Sequence, residues 1–394
     1  MVATDPVLRS PETLTDRVMP FHTFLLKVAS RCNINCTYCY IYNRADGRWT
    51  RQPVYMSQKT ASAATLRIAE HCRRHEKDSA VIVLHGGEPL MAGPDRIQGY
   101  ARAIAGAFQD TGVKLTVGMQ SNALLFDTRY GDLMTEWGMT IGVSIDGPPE
   151  INDRYRVDHR GRPTSAQLEK KLDLLTSSYP QIFTGFLTVI DIGSDPSDVV
   201  DYLLSFNPPT IDFLFPLDNH DRRPPGKDDF ESTPYGDWLI AAYDAWTSSG
   251  STTRIRIFQT LLGLIIGSKT LVETFGTDPV DLVVVESNGE IEAVDSLKAV
   301  FDGATELGYD IRIHSFDEVA RHVGVKARQA GVQGLCDTCR ICDLVRVCGG
   351  GYYPHRYSEE NGFQNPSIYC RDIAKLIRHI QKSITASLRE GSHA

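Results

Sequence analysis

The sequence predicts an α/β protein, a partial (β/α)6 barrel of the TIM type followed by a smaller cysteine-rich C-terminal module. Three observations carry this reading. Six apolar, β-rich segments recur between residues 22 and 216, separated by stretches of helical periodicity. Most of these segments run into a polar or glycine-rich loop, as expected where functional loops follow the C-terminal ends of parallel strands. The nine cysteines are clustered, three between residues 32 and 39 and five between 336 and 370.

The first strand, 22–28, enters the loop Cys32-Asn33-Ile34-Asn35-Cys36-Thr37-Tyr38-Cys39. The second, 81–84, enters His85-Gly86-Gly87-Glu88-Pro89. The third, 114–119, ends in Gln120-Ser121-Asn122, and the fourth, 140–143, in Ser144-Ile145-Asp146-Gly147. Segments 183–190 and 211–216 are the fifth and sixth strands, with helices between strands over 57–74, 95–108, 165–176 and 195–205. A barrel of six units stays open on one side, which suits a polypeptide substrate. The Asp-, Arg- and Pro-rich stretch 217–228 reads as a boundary. Helices over 235–247 and 255–266 follow, then a hairpin over 281–294 turning at Ser287-Asn288-Gly289, and a short helix over 315–322. A closing helix starting at Asp372 carries the apolar face Ile373, Leu376, Ile377, Ile380, Ile384 and Leu388. The domains are thus a lead-in over 1–20, a barrel over 21–228, bridging elements over 229–330 and a C-terminal module over 331–394.

At 394 residues, 42% apolar and 23% charged, the chain has the composition of an ordinary globular protein with a sizeable core. A net charge of -8 argues against nucleic acid as the main partner. The longest apolar stretch, 261–266, is broken at Gly263 and is far too short to span a membrane. The first twenty residues hold Pro6, Pro11 and several acids but no apolar core of a signal peptide, so a cytoplasmic location is expected. In that setting clustered cysteines point to metal binding rather than disulfides. Cys72 stands apart, on the helical stripe Ala61, Ala64, Ile68, Cys72, and reads as core.

Cys32, Cys36 and Cys39, spaced x3 then x2, can cap three corners of a cubane iron–sulfur cluster and leave one iron open to a small ligand. With Gly86-Gly87-Glu88-Pro89 one strand later, this loop resembles that of radical S-adenosylmethionine (SAM) enzymes over residues 21 to 216. The resemblance implies a [4Fe–4S] cluster on Cys32, Cys36 and Cys39, whose open iron chelates SAM. SAM is then cleaved to a 5′-deoxyadenosyl radical. Gly86, Gly87, Glu88 and Pro89 match the motif that binds the methionine amino group. Tyr38 matches the aromatic against adenine and Ser144 a ribose contact, while Gln120 and Asn122 are pocket candidates. Arg154 and Arg156 are both candidates to pair with the SAM carboxylate, and the sequence does not separate them.

Cys339-x2-Cys342-x5-Cys348 and the later Cys370 form a second ligand set, for which zinc and iron–sulfur are both open on the residues alone. The arrangement resembles the SPASM extension of radical SAM peptide and protein maturases, which holds two auxiliary [4Fe–4S] clusters. This chain departs from that pattern. Tyr352 stands four residues after the third cysteine, and Val294 stands at the hairpin exit where the family has cysteine. The expectation is one auxiliary [4Fe–4S] cluster, on Cys339, Cys342, Cys348 and Cys370, with the role of Cys336 open. Asp295 matches an aspartate that acts as general base in relatives oxidising a Ser or Cys side chain. A hairpin-end aspartate capping the next turn is the competing reading.

The segment from Gly349-Gly350-Gly351-Tyr352-Tyr353-Pro354-His355-Arg356-Tyr357-Ser358 through Asn365-Pro366-Ser367-Ile368-Tyr369-Cys370 resembles the cyclophane-forming maturases of ribosomally synthesised peptides. These join an aromatic ring carbon to the Cβ of a residue two positions away. The implied partners are a precursor peptide and a flavodoxin- or ferredoxin-type electron donor, with leader recognition minimal, built into the barrel rim or supplied by a separate leader-binding protein. An extended peptide adding to an open hairpin edge near 281–294 is a further expectation. Thioether or other carbon–carbon crosslinking, epimerisation and sulfatase-type oxidation remain as alternatives within the class. The last ranks lower because those relatives keep both auxiliary clusters. A non-catalytic iron–sulfur or zinc scaffold that binds peptides is the alternative outside it.

Overall fold

Strand β1 (Thr23–Ala29) is buried along almost all of its length, on both faces, as a central strand of a parallel sheet must be. Around it, the computed structural model describes residues 19–391 except 271. The expected lead-in therefore lies almost wholly outside the described residues. β2 (Ser79–Gly86), β3 (Lys114–Ser121), β4 (Met139–Ser144), β5 (Phe183–Val189) and β6 (Thr210–Leu214) follow β1 in spatial order, each parallel to the last. Helices α1 (Gln58–Arg74), α2 (Pro94–Phe108), α3 (Thr128–Glu136), α4 (Pro149–Tyr155), α5 (Ser165–Ser178) and α6 (Pro196–Leu204) connect them. Local signals set their ends. Ser57 caps α1 by accepting from the Thr60 amide, and Asp195 caps α6 from the Ser197 amide, with Pro196 at the first turn. Cys72 is fully buried in α1 beside Ile68 and Ala64, as core.

The sheet continues beyond these six strands. A two-residue strand β7 (Arg254–Ile255) adds parallel to β6 on one side. On the other, the hairpin β8 (Leu282–Val285) and β9 (Glu290–Glu292) joins β1 through a parallel β8–β1 pairing, and β10 (Glu306–Asp310) closes the order antiparallel to β9. The ten-stranded sheet runs β10-β9-β8-β1-β2-β3-β4-β5-β6-β7. The expected free hairpin edge near 281–294 is thereby corrected, since β8 and β9 are each paired on both sides. The outer edge is β10, broken by Gly308 at φ +76° and by a register shift against β9, which disfavours strand addition there.

Helices α7 (Pro234–Ser248) and α8 (Arg256–Ile265) connect the barrel to the C-terminal part. Beyond β10, the short helices α9 (Phe316–Ala320), α10 (Val323–Gln329), α11 (Asp337–Arg340) and α12 (Val345–Cys348) lead to the long α13 (Cys370–Gly391). Ile373, Leu376, Ile377 and Ile380 of α13 are buried; the side chain of Leu388 lies outside the described residues. Lys227 and Asp372, both with fully buried side chains, pair at 2.8 Å, and Asp372 also accepts from the Gly236 amide. This contact ties the 217–233 loop and α7 to the start of α13. Among the described residues no helix is long and apolar enough to cross a membrane.

Candidate active site

The loops after the barrel strands surround a cavity of about 550 Å3. Cys32, Cys36 and Cys39 line it. Their loop is fixed from the α4 side, where the Asn35 amide donates to Val157 O (2.8 Å) and the Thr37 amide to Tyr155 O (2.9 Å). Burial pushes the Cys32 thiol well up and the Cys36 thiol to about 11, and the neighbouring thiols add to both shifts. Three neighbouring, half-buried thiols that resist ionisation alone become good thiolate ligands once a cationic centre lies among them. The donor set therefore fits an iron–sulfur group.

Gly86 and Gly87 line the same cavity, and neither has room for a side chain. A Cβ on Gly86 would meet Ala29 O at 2.0 Å, and one on Gly87 would meet Tyr42 Oη at 1.8 Å. The glycines are required first by close packing of this turn against the β1 end and the cysteine loop. Pro89 starts a buried 3-10 turn, with Glu88 capping it. The Glu88 carboxylate lies behind the wall, accepting from the Leu90 amide (2.9 Å), Ser121 Oγ (2.7 Å) and the Asn122 amide (2.7 Å). Burial raises its pKa, opposed by these hydrogen bonds. Asn122 donates to Asn33 Oδ1 (2.8 Å) and approaches Cys32 Sγ (3.6 Å), so Glu88 and Asn122 together brace the cysteine loop. Gln120 Nε2 donates to Ser144 Oγ (2.9 Å), and both side chains face the cavity.

The two arginines separate in space. Arg156, 7% exposed, lines the cavity and donates to Tyr38 Oη at 2.9 Å, while Tyr38 donates to Asp146. Burial works against the Arg156 charge, yet Tyr38, Cys36 and Asp146 hold its pKa well above the usual value. Arg154 is turned away, held by Asp191 at 2.9 Å with its side chain 44% exposed. Of the two candidates, Arg156 and not Arg154 is thus placed at the cavity. The cause is local, because α4 ends at Tyr155: Arg154 is on the outer face of the last turn, whereas Arg156 follows the break and points inward.

Asp295 reaches the cavity from the hairpin exit, and three residues missed in the sequence surround it. Lys27 Nζ lies 2.7 Å from Asp295 Oδ2, Tyr40 Oη donates to the same oxygen at 3.0 Å, and His85 Nδ1 lies 3.5 Å away. Register explains the grouping, since Lys27 is the direct neighbour of His85 across β1 and β2. Burial alone would raise the Asp295 pKa, but Lys27, His85 and the hydrogen bonds from Lys27 and Tyr40 hold it well below the usual carboxylate range. His85 is driven down to about 4 by burial and by Lys27, so it is neutral at pH 7. The signal available in the sequence was Lys27, a charge inside the otherwise apolar strand Thr23–Ala29. Next to Asp295, Tyr352 donates to Ser296 Oγ at 2.6 Å, and Val294 is buried.

The second cysteine set is gathered at the start of α13. Cys339, Cys348 and Cys370 are electrostatic neighbours, as are Cys342 and Cys370, and the spare Cys336 lies in the same group, hydrogen-bonded to Cys339. Gly349, Gly350 and Gly351 all take the left-handed conformation, with φ between +64° and +78°. Their carbonyls turn onto the half-buried Arg356, whose guanidinium donates to Gly349 O (2.7 Å), Gly350 O (3.1 Å) and Gly351 O (2.6 Å). Arg356 thus places a fixed positive charge beside Cys348, Cys339 and Cys336.

A separate cluster, His71, His75 and Asp317, has the composition of a metal site. The Phe21 amide donates to His71 Nε2 at 3.0 Å, which leaves the ring proton on Nδ1, 2.9 Å from Asp317. A metal on Nδ1 would require the proton on Nε2, against that amide. The cluster is a structural knot between α1 and α9.

The Radical SAM superfamily model matches residues 26–204. The cysteine-type anaerobic sulfatase-maturating enzyme of Clostridium perfringens is 24% identical over 92% of this chain and 96% of its own length. A serine-type counterpart from Bacteroides thetaiotaomicron is 22% identical over 92% of this chain and 89% of its own. Native anSMEcpe with bound AdoMet superposes with a TM-score of 0.79 at 23% identity, covering 93% of this chain and 98% of that one. SuiB of Streptococcus suis bound to precursor peptide SuiA gives a TM-score of 0.59 at 12% identity over 90% of this chain and 76% of that one. The chain therefore has the radical SAM fold, with homologues among the sulfatase-maturating enzymes.

Proposed function

We propose that this chain oxidatively modifies a ribosomally synthesised precursor peptide, joining an aromatic ring carbon to the Cβ of a residue two positions away. Cys32, Cys36 and Cys39 would hold the first [4Fe–4S] cluster, with Tyr38, Gly86, Gly87, Gln120, Asn122, Ser144 and Arg156 around SAM. Cys339, Cys342, Cys348 and Cys370 would hold the second. When bound, these groups supply a 5′-deoxyadenosyl radical that removes a hydrogen atom and an acceptor for one electron.

The surroundings of Asp295 carry the reading. Crosslinking removes from the peptide one hydrogen atom at Cβ, one ring proton and one electron, a net loss of two hydrogens. The ring adduct is strongly acidic, so a carboxylate held charged by Lys27 and Tyr40 suffices to take its proton. An aspartate at this position also matches the base of relatives that oxidise a Ser or Cys side chain, so the base alone fits both reactions. Val294 and Tyr352, in place of cluster ligands beside Asp295, favour a reaction with a single auxiliary acceptor. A flavodoxin- or ferredoxin-type donor would reduce the first cluster, and leader recognition would rest on the barrel rim or a separate protein.

Sulfatase-type oxidation of a Ser or Cys side chain is the second reading, favoured by near full-length similarity to enzymes of that name. An anaerobic assay with reduced, reconstituted protein, SAM and a candidate precursor, any short peptide encoded beside the gene, separates the outcomes. The expected product has lost two hydrogens, has no carbonyl reactive to hydroxylamine, and takes up no solvent deuterium at Cα. A hydroxylamine-reactive product favours sulfatase-type oxidation. Absence of 5′-deoxyadenosine rules out the enzyme reading as a whole.

A further inference from the structure

His355 is 1% exposed, yet neither of its ring nitrogens has a hydrogen-bond partner. The ring forms part of the wall of the main cavity, on the side that holds Tyr352 and Phe215. It packs among aromatic rings, with centroids 5.3 Å from Tyr352, 4.8 Å from Tyr369 and 6.2 Å from Phe215. The Pro216 carbonyl lies close enough to the ring to raise its pKa, but it accepts from Tyr369 Oη at 2.9 Å, and its contact with the imidazole falls short of a well-formed hydrogen bond. Leaving a buried donor and acceptor unmatched is costly, and a phenyl ring would fill the same space without that penalty. An orphaned polar ring in a cavity wall therefore points to a ligand that supplies its partners.

We propose that His355 anchors the precursor peptide, one ring nitrogen donating to a main-chain carbonyl and the other accepting from a main-chain amide. This rests on the peptide-modifying reading above and assigns that substrate its contact on the wall of the cavity beyond Asp295. The role is one of positioning by a neutral ring. Burial and the adjacent Arg356 push the imidazole down to about 3, so it does not carry a proton at working pH and is no general base. Asp295 and His355 then divide the labour, the first meeting a proton, the second holding the chain in register.

The test uses the reconstituted holoenzyme and a fluorescein-labelled form of the short peptide encoded beside the gene. In His355→Phe, peptide Kd and KM are expected to rise tenfold or more, while thermal stability holds or increases and peptide-independent 5′-deoxyadenosine formation is unchanged. His355→Gln, which restores a donor and an acceptor, is expected to recover most of the affinity; His355→Met is not. Peptide affinity in His355→Phe within twofold of wild type overturns the proposal. Should that variant unfold, equal affinities in His355→Gln and His355→Met overturn it instead. Wild-type enzyme that neither binds nor modifies the peptide overturns the underlying reading, and the proposal with it.

Discussion

Lys27 and Asp295 stand 268 positions apart in the chain, yet their charged groups meet at 2.7 Å with side chains 3% and 7% exposed. The pair joins β1 to the hairpin exit and fixes the carboxylate that the proposed chemistry would use.

Lys27→Met leaves Asp295 buried without its main counter-charge. A loss of about 3–5 kcal/mol in unfolding free energy is expected, much of it recovered in Lys27→Met/Asp295→Asn. Chemical denaturation of the three proteins measures this. Asp295→Asn alone is expected to keep 5′-deoxyadenosine formation and lose crosslinked product by at least tenfold. Equal losses of both would place Asp295 in SAM binding instead.

Arg156→Ala is expected to weaken SAM binding more than tenfold, and Arg154→Ala by less than twofold. Equilibrium dialysis with labelled SAM distinguishes them. The reverse order would mean that the cavity assignment is wrong.

Iron counting tests the two cysteine sets. Wild type should hold about eight irons per chain. Cys32→Ala/Cys36→Ala/Cys39→Ala should retain about four and form no 5′-deoxyadenosine. Cys339→Ala/Cys348→Ala should also retain about four but still cleave SAM. One zinc per chain in wild type, lost from the second variant, would establish the zinc alternative for the C-terminal set.

Acid weakens the fold through its buried histidines. Burial and His75 drive His71 to about 4, against the pull of Asp317. Its folded pKa lies below the unfolded value of about 6.5, so the unfolded chain binds the proton first as pH falls. Stability is full near pH 7.5 and declines between about 6.5 and 4, by up to about 2 kcal/mol at pH 5 from this residue. Asp317 stays charged across that window: burial raises its pKa, but hydrogen bonds from His75 and Arg74 bring it to about 2. Melting temperatures at pH 7.5 and 5.0 should differ more for wild type than for His71→Gln. Parallel slopes would remove His71 from the account.

Strands β1 to β6 were legible because most of the apolar segments run into a recognisable loop, and the cysteine loop and Gly86-Gly87 turn mark the first two. The joining of β8 to β1 was not, because it pairs Thr23 with Leu282 across most of the chain, and strand pattern carries no record of a distant partner. Arg154 and Arg156 could not be told apart because the deciding feature is where α4 stops, one residue between them. Lys27 was visible as a charge in an apolar strand, but its meaning required Asp295 beside it. His355 left no sequence signal, since only the packed structure shows that its nitrogens lack partners.

The most direct test is the mass and fragmentation of the short peptide encoded beside the gene after anaerobic reaction with the reconstituted enzyme. The expected product has lost two hydrogens and shows no backbone fragmentation within a three-residue window that contains an aromatic residue. An unchanged mass with deuterium gained at Cα, or a product trapped by hydroxylamine at one Ser or Cys position, would contradict crosslink formation.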